Sequence, residues 1–484
     1  MVNTDGIASI LGVSPCRINI EIQDITCNSK ECGSGIAFAA LVGEKFDGHN
    51  FADEAYIRGT RVFIVERKLN LPQDCIQFIV DDSRAALSSV SLFVHQNPQK
   101  KLKLIGVTGT KGKSTVVLMI HKILTSIGKK AIFSSTLGIN TDGSLFPSFN
   151  STPESDDMAR FLSCGVDSGA EYAVIEVSSQ GIKQKRVDAL KFDIGVMTNL
   201  SRDHIGRGEH SDFAEYMTCK QAFFEKCKFG IFNADDKYFS EFSNICEGSL
   251  YGIKNSADIS AKNVKIERLS NEFRSEFDIS SPGQTAHFSL PIPGTFAVYD
   301  ALAAVGACIK LGIPLSKCAD ALLDFHIEGR FEKINVERDI DVVIDYAHNG
   351  ESLKSALKTA RRLARGKVVC VFGSVGGRTE MRRAALGKAA DKFADECILT
   401  SDNPNFENPL DILSKIADNI TGVPYRIIPD REEAIRFAIE NADDGDFILI
   451  CGKGHEKYQL VSGNKIPFDE KEIVIGASKI KANI

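Results

Sequence analysis

The chain has 484 residues, 43% of them hydrophobic and 25% charged, with a formal net charge of −6, thirteen cysteines and no tryptophan. That mix belongs to an ordinary globular protein of about three domains and excludes a disordered or fibrous chain. Its slight acidity excludes the broad basic field of a general nucleic-acid binder. The longest apolar runs, Ile36–Val42 and Ala301–Ile309, fall well short of the ~20 residues needed to span a bilayer. The start, MVNTDGIASI, lacks the basic residues and apolar run of an export signal. A cytoplasmic protein without membrane insertion or nucleic-acid binding is expected. The cysteines are scattered from Cys16 to Cys451 without ligand or disulfide spacing, so reduced, mostly buried thiols are expected.

Taken in chain order, β-branched runs alternate with glycine-rich turns and helical stretches, the pattern of α/β domains with mainly parallel sheets. Buried strands are expected at Leu104–Val107, Ala173–Val177, Ile194–Thr198, Val342–Ile344, Val368–Phe372, Cys397–Thr400 and Phe447–Ile450. The polar segment Gln96–Lys103 marks a first boundary, and Phe325–Glu332 a second. Between them, Ile253–Leu290 alternates polar and apolar residues and reads as β-rich. Three domains follow, residues 1–97, 98–328 and 329–484.

Leu104–Thr115 (LIGVTGTKGKST) is the most informative segment. A strand runs into a glycine-rich turn, and the turn opens a helix with apolar residues at Val116, Ile120, Ile123, Leu124 and Ile127. Glycines let successive N–H groups converge on phosphate oxygens, and the helix N-terminus adds a favourable dipole. Residues Gly109, Thr110, Lys111, Gly112, Lys113, Ser114 and Thr115 would hold a nucleotide, with Lys113 on the β/γ-phosphates and the Ser114 hydroxyl on Mg²⁺. Five residues rather than the usual four separate Gly106 from the Gly-Lys pair. Downstream, Glu176 and His204 stand at the ends of successive expected strands, where a carboxylate and an imidazole can ligate Mg²⁺.

This ordered set resembles the Mur ligases, ATP-dependent amide-forming enzymes of peptidoglycan precursor synthesis, and within them the tripeptide-synthetase (MurE) type. The resemblance spans essentially the whole chain: GVTGTKGKST (106–115), STPES (151–155), EVSSQGIKQKRV (176–187), TNLSRDH (198–204), DYAHN (345–349), VFGSVGGRTEMRR (371–383), DNPNFENP (402–409) and GKGHEKYQ (452–459). It implies a central phosphate-loop parallel-sheet domain flanked by an N-terminal uridine-diphosphate-anchoring α/β domain and a C-terminal Rossmann-like α/β domain. It also implies a monomer that acts on UDP-MurNAc-L-Ala-D-Glu, ATP and a diamino acid. The D-Glu γ-carboxylate would attack ATP to give an acyl phosphate, which the amine of the diamino acid would then displace.

By the same matching, two Mg²⁺ ions are implied, with Ser114, Glu176, His204 and Lys220 as ligands. Lys113, Glu176, His204 and Lys220 form the implied catalytic set, and Lys220 would be carbamylated by CO₂, because an ammonium cannot bind Mg²⁺ whereas a carbamate can. Arg330, Asp345, His348 and Asn349 would face the nucleotide. The muramoyl dipeptide would meet Ser29, Asp47, His49, Thr152, Pro153, Ser178, Gln184 and Arg186. Arg383, Asp402, Asn403, Asn405, Lys453 and Glu456 would hold the incoming amino acid.

Two departures stand out. Ala297 and Asp300 occupy positions where the family commonly has Asn, and Asn405 follows Asp-Asn-Pro where members adding meso-diaminopimelate carry Arg. Asparagine offers no positive charge to a distal carboxylate, so L-lysine is the expected acceptor. The alternatives are meso-diaminopimelate or another diamino acid, another Mur-type amide ligase, or a nucleotide-binding paralogue without turnover.

Overall fold

The protein is described by a computed structural model covering residues 2–16, 18–43, 46–148, 150–202, 205–206, 209–269 and 272–480. Two compact units divide the chain. The first comprises residues 1–260, 281–284 and 300–318, and the second residues 261–280, 285–299 and 319–484.

In the first unit, the N-terminal residues form a four-stranded parallel sheet in the order Asp24–Thr26, Ile36–Ala39, Val62–Val65, Ile76–Ile79. Strand alternation sends Ala37 and Ala39 to one face, against Leu87 and Val90 of the helix Ser83–Val94, while Phe38 and Ala40 pack with Ala52 and Ala55 on the other. Asp82 caps that helix by accepting from the N–H groups of Arg84 and Ala85.

The following residues build a sheet whose parallel core runs Ala131–Ser135, Tyr172–Glu176, Lys103–Thr108, Ile194–Met197, Gly230–Asn233, Gly248–Gly252. Continuous apolar runs such as Ala173–Ile175 are buried on both faces, as a parallel sheet covered by helices requires. The phosphate-loop strand lies between Tyr172–Glu176 and Ile194–Met197, so the polar ends of all three strands emerge side by side. The helix Lys113–Ser126 buries Val116, Ile120, Ile123 and Leu124 against the sheet side of the unit. Ile127, the last residue of the expected stripe, lies just beyond the helix end.

The second unit contains a six-stranded sheet in the order Glu332–Ile334, Asp341–Asp345, Phe447–Cys451, Val368–Phe372, Glu396–Leu399, Tyr425–Ile427, antiparallel at its first pair and parallel thereafter. The helices Gly350–Leu363, Glu380–Phe393, Pro409–Ala417, Arg431–Glu440 and Glu470–Ile480 accompany it. All seven strands expected from apolar runs are present, each within a residue or two of its expected ends. The segment read as β-rich carries the strands Ile259–Leu269, Glu272–Ser281 and Gln284–Leu290. All thirteen cysteines are free thiols. Among the described residues no helix is long and apolar enough to cross a membrane.

Candidate active site

In the first unit the glycine-rich turn is held open by its neighbours. Gly109 has φ 144°, and a Cβ there would lie 1.9 Å from the Thr198 hydroxyl oxygen. Thr198 uses that hydroxyl to donate to the Lys111 carbonyl at 2.6 Å. Asn199 brackets the same residue, accepting from the Lys111 N–H at 3.0 Å and donating to its carbonyl at 3.0 Å. Gly112, at φ 83°, begins the helix, and the carboxylate of Asp300 fills the space where a side chain would stand. Thr110 and Thr115 are buried.

The Ser114 hydroxyl donates to Glu176 Oε2 at 2.6 Å, and the Lys113 ammonium donates to the Thr110 carbonyl at 3.1 Å while lying 3.9 Å from Glu176. Glu176 is buried and its carboxylate is oriented by Thr136, whose N–H and hydroxyl donate to its two oxygens at 3.0 and 3.2 Å. An alcohol oxygen and a carboxylate oxygen converging beside a phosphate loop form the hard donor set that suits Mg²⁺. The Lys220 ammonium is buried, 2.9 Å from the Gly109 carbonyl and 3.3 Å from the Thr108 hydroxyl, and lies over the Tyr216 ring. His204 lies outside the described residues.

Next to Glu176, Thr152 ties two segments together. Its hydroxyl donates to the Glu176 carbonyl at 2.9 Å and accepts from the Ser178 N–H at 2.9 Å. Arg186 donates to the Thr152 carbonyl and to Gln184, and pairs with Glu154 at 2.6 Å. Pro153 is buried between these contacts in sequence. In the N-terminal residues, the Ser29 hydroxyl donates to Glu54. Asp47 accepts from the His49 N–H, meets the His49 ring at 2.6 Å and pairs with Arg67 at 2.6 Å. Arg67 and the His49 N–H hold the Asp47 carboxyl down at about 2. The other ring nitrogen of His49 accepts from the Glu66 N–H at 2.9 Å, which fixes the ring from both ends.

In the second unit, Asp345 accepts from the N–H groups of Phe331 and Ala347, and burial raises its carboxyl against the opposing pull of Arg330. The Arg330 guanidinium lies 4.3 Å over the Tyr346 ring. Tyr346 also touches His348 and His455, and burial pushes its phenol up to about 12. Asn349 caps the helix Gly350–Leu363 through a capping box with Ser352.

The Asp402–Asn405 turn is built on two left-handed asparagines, Asn403 at φ 47° and Asn405 at φ 54°. Asn403 accepts from the Lys453 ammonium and the Leu460 N–H, both at 2.9 Å, and donates to Glu456 at 2.8 Å. Lys453 is fully buried, and desolvation lowers its pKa. Asn405 accepts from the Gly463 N–H at 2.8 Å, joining the turn to the hairpin Tyr458–Val461/Asn464–Pro467. Arg383 is buried and forms a two-pronged pair with Glu407 at 2.7 and 2.6 Å. Asp402 is buried with neither carboxylate oxygen hydrogen-bonded.

Each unit thus gathers its own group of the residues singled out in sequence. Thr136, Thr198, Asn199 and Glu407 join them without having been picked out as site residues. For Thr198 and Asn199 the signal was present, since they directly follow a buried strand.

Three family models match in order along the chain: the Mur ligase family catalytic domain over residues 21–101, the Mur ligase middle domain over 107–308, and the Mur ligase glutamate ligase domain over 329–454. The UDP-N-acetylmuramoyl-L-alanyl-D-glutamate–2,6-diaminopimelate ligase of Caldanaerobacter subterraneus subsp. tengcongensis is 38% identical over 94% of each chain. The chain belongs to the Mur ligase family. The ligase of the same name from Geobacillus kaustophilus is 35% identical over 95% of this Mur ligase and 96% of its own length. A solved structure of a ligase so named superposes with a TM-score of 0.70 at 26% identity, covering 99% of both chains. The Mur ligase fold is therefore the fold of this chain, and like other Mur ligases it is an ATP-dependent amide ligase.

Proposed function

We propose that this Mur ligase activates the D-Glu γ-carboxylate of UDP-MurNAc-L-Ala-D-Glu as an acyl phosphate and joins it to a diamino acid, L-lysine in preference to meso-diaminopimelate. The observation that carries the ligase chemistry is the convergence of Lys113, Ser114 and Glu176 beside a turn shaped for phosphate. Catalysis here is mainly charge neutralisation and positioning, because two anions must be brought together. Lys113 would bind the β/γ-phosphates, and the backbone of Gly109–Gly112, fixed by Thr198 and Asn199, would cradle them. Ser114 and Glu176 would hold Mg²⁺, with His204 and a carbamylated Lys220 serving a second ion. Bound Mg²⁺ supplies positive charge to the transferring phosphoryl group.

Three working parts are inferred, residues 1–97, 98–328 and 329–484. Ser29, Asp47, His49, Thr152, Ser178, Gln184 and Arg186 would position the muramoyl dipeptide. Arg330, Asp345, His348 and Asn349 are assigned to nucleotide contacts.

In the acceptor region, Asp402 and Glu456 supply negative charge for amino groups. Arg383 would take the α-carboxylate, which must exchange with the Glu407 carboxylate now on its fork. Asn405 supports lysine: it is neutral, and its side-chain oxygen is already engaged by Gly463. A distal carboxylate would find no cation from that residue, a loss of about 1–2 kcal/mol relative to an arginine. The second reading, meso-diaminopimelate, is favoured by the names of the 38% and 35% identical relatives. Phosphate release from ATP, Mg²⁺ and UDP-MurNAc-dipeptide, compared between L-lysine, meso-diaminopimelate and no acceptor, separates the two. Faster release with diaminopimelate would reverse the acceptor assignment, and release with neither would remove the reaction.

A further inference from the structure

Behind the acceptor turn lies a buried ion pair that the ligase chemistry does not use. Arg431 and Glu470 are each the first residue of a helix, Arg431–Glu440 and Glu470–Ile480. Their side chains are 0% and 1% exposed. An arginine in the first turn of a helix opposes the helix dipole, and a buried guanidinium is costly without complete partnering. Local preference therefore does not explain Arg431, and its contacts show what does.

The Arg431 guanidinium donates to three separate groups: Glu470 Oε1 through Nε at 2.7 Å, the Ser401 carbonyl at 3.1 Å and the Cys451 carbonyl at 2.8 Å. Ser401 immediately precedes Asp402, and Cys451 immediately precedes Gly452 and Lys453. One side chain therefore pins the starts of both loops that carry the acceptor-side residues. Asp402, 1% exposed, keeps both carboxylate oxygens without a hydrogen bond. Gly452, at φ 123°, borders both groups: a Cβ there would lie 2.5 Å from Asp402 Oδ2 and 3.7 Å from an Arg431 nitrogen. A buried carboxylate beside a guanidinium would ordinarily pair with it. Here the guanidinium is directed elsewhere.

We propose that Arg431 and Glu470 are positioning residues for the acceptor: Glu470 holds Arg431 on the two loop carbonyls and off Asp402, whose open lone pairs then receive the acceptor's ammonium group. The proposal rests on the reading of Asp402 as an amino-group ligand. Glu470 acts as the competing anion, and Asp402, which feels the charges of Lys453 and Arg431 but accepts no hydrogen bond from either, is the binding feature it preserves. Removing the Glu470 charge leaves Asp402 as the nearby carboxylate to which Arg431 can turn, closing the ammonium site without touching the phosphate loop.

The test compares wild type, Glu470→Gln, Glu470→Asp and the double variant Glu470→Gln/Arg431→Met. Glu470→Gln is expected to raise the KM for the diamino acid about tenfold or more, leaving the KM for ATP and for UDP-MurNAc-dipeptide within about twofold. Glu470→Asp should recover most of the loss, and the double variant part of it, because the guanidinium that closes the site is gone. Equal changes in all three KM values, or a double variant worse than Glu470→Gln, would overturn the proposal. A crystal structure of Glu470→Gln reads the switch directly: Arg431 hydrogen-bonded to Asp402 is expected, and Arg431 still on the Ser401 and Cys451 carbonyls overturns it. If wild-type phosphate release depends on no amino acid, the acceptor reading falls instead, and the crystal structure still decides where Arg431 goes.

Discussion

The Ser114 hydroxyl and the Glu176 carboxylate, 62 positions apart in sequence, meet at 2.6 Å in the buried floor beside the phosphate loop. Parallel pairing of Lys103–Thr108 with Tyr172–Glu176 brings them together, since it places Glu176 opposite Val107 just before the turn. Glu176→Gln keeps the shape and removes the charge proposed to hold Mg²⁺. Its kcat for ADP formation is expected to fall about a hundredfold or more, with little change in thermal stability. Unchanged turnover would remove Glu176 from the site.

Lys220→Ala is expected to lose turnover and to recover part of it when short carboxylic acids are added, because an acid can occupy the space of a carbamate. Wild-type activity should also fall in buffers stripped of CO₂ and return with bicarbonate. A variant as active as wild type would remove Lys220 from the catalytic set.

Asn405→Arg places a cation where the turn now has an amide. The ratio of kcat/KM for meso-diaminopimelate to that for L-lysine should rise about tenfold or more. The left-handed backbone at φ 54° costs the variant about 1 kcal/mol in stability, which the substrate ratio does not register. A ratio that does not move would place specificity elsewhere in the turn.

Burial and the nearby Arg330 hold the His455 imidazole down at about 4. An unfolded chain would titrate near the ordinary 6.5, so the unfolded state binds the extra proton first. The stability contribution is complete above about pH 6.5 and is lost as pH falls toward 4, by up to about 3 kcal/mol. Urea unfolding at pH 7 and pH 4.5 should show wild type losing more stability than His455→Gln over that interval. Equal losses would show that His455 does not titrate in this way.

The Arg383–Glu407 pair gives a further check on the acceptor side. Glu407→Gln weakens the internal competitor for the guanidinium, so the KM for the diamino acid should fall while the KM for ATP stays constant, measured by ADP release. A raised KM would show that Glu407 orients Arg383 rather than competing with an incoming carboxylate.

Much of this was legible in the chain itself. Apolar runs such as Val368–Phe372 and Phe447–Ile450 announced their strands because a strand buried on both faces needs apolar residues at every position. The glycines around Lys113 announced a tight turn ahead of a helix, and in the fold Thr198 stands where a Gly109 Cβ would lie. The ordered motifs together pointed to the family.

Sequence order could not give what depends on long-range partnering. His49 read as a ligand-facing histidine, and in the fold Asp47 and the Glu66 N–H also engage its two ring nitrogens. Asn349 read as a nucleotide contact, and in the fold it also caps a helix. Arg431 and Glu470 gave no signal at all, since 39 residues separate them and each opens a helix as a surface charge might. The sequence by itself determined which segments become strands and where the glycine-rich turns between them fall, because backbone geometry and apolar periodicity are local. The tertiary structure alone decided which charges are buried, which are matched and which, like Asp402, are left open. Electrostatic satisfaction is settled only when distant elements pack and water is excluded.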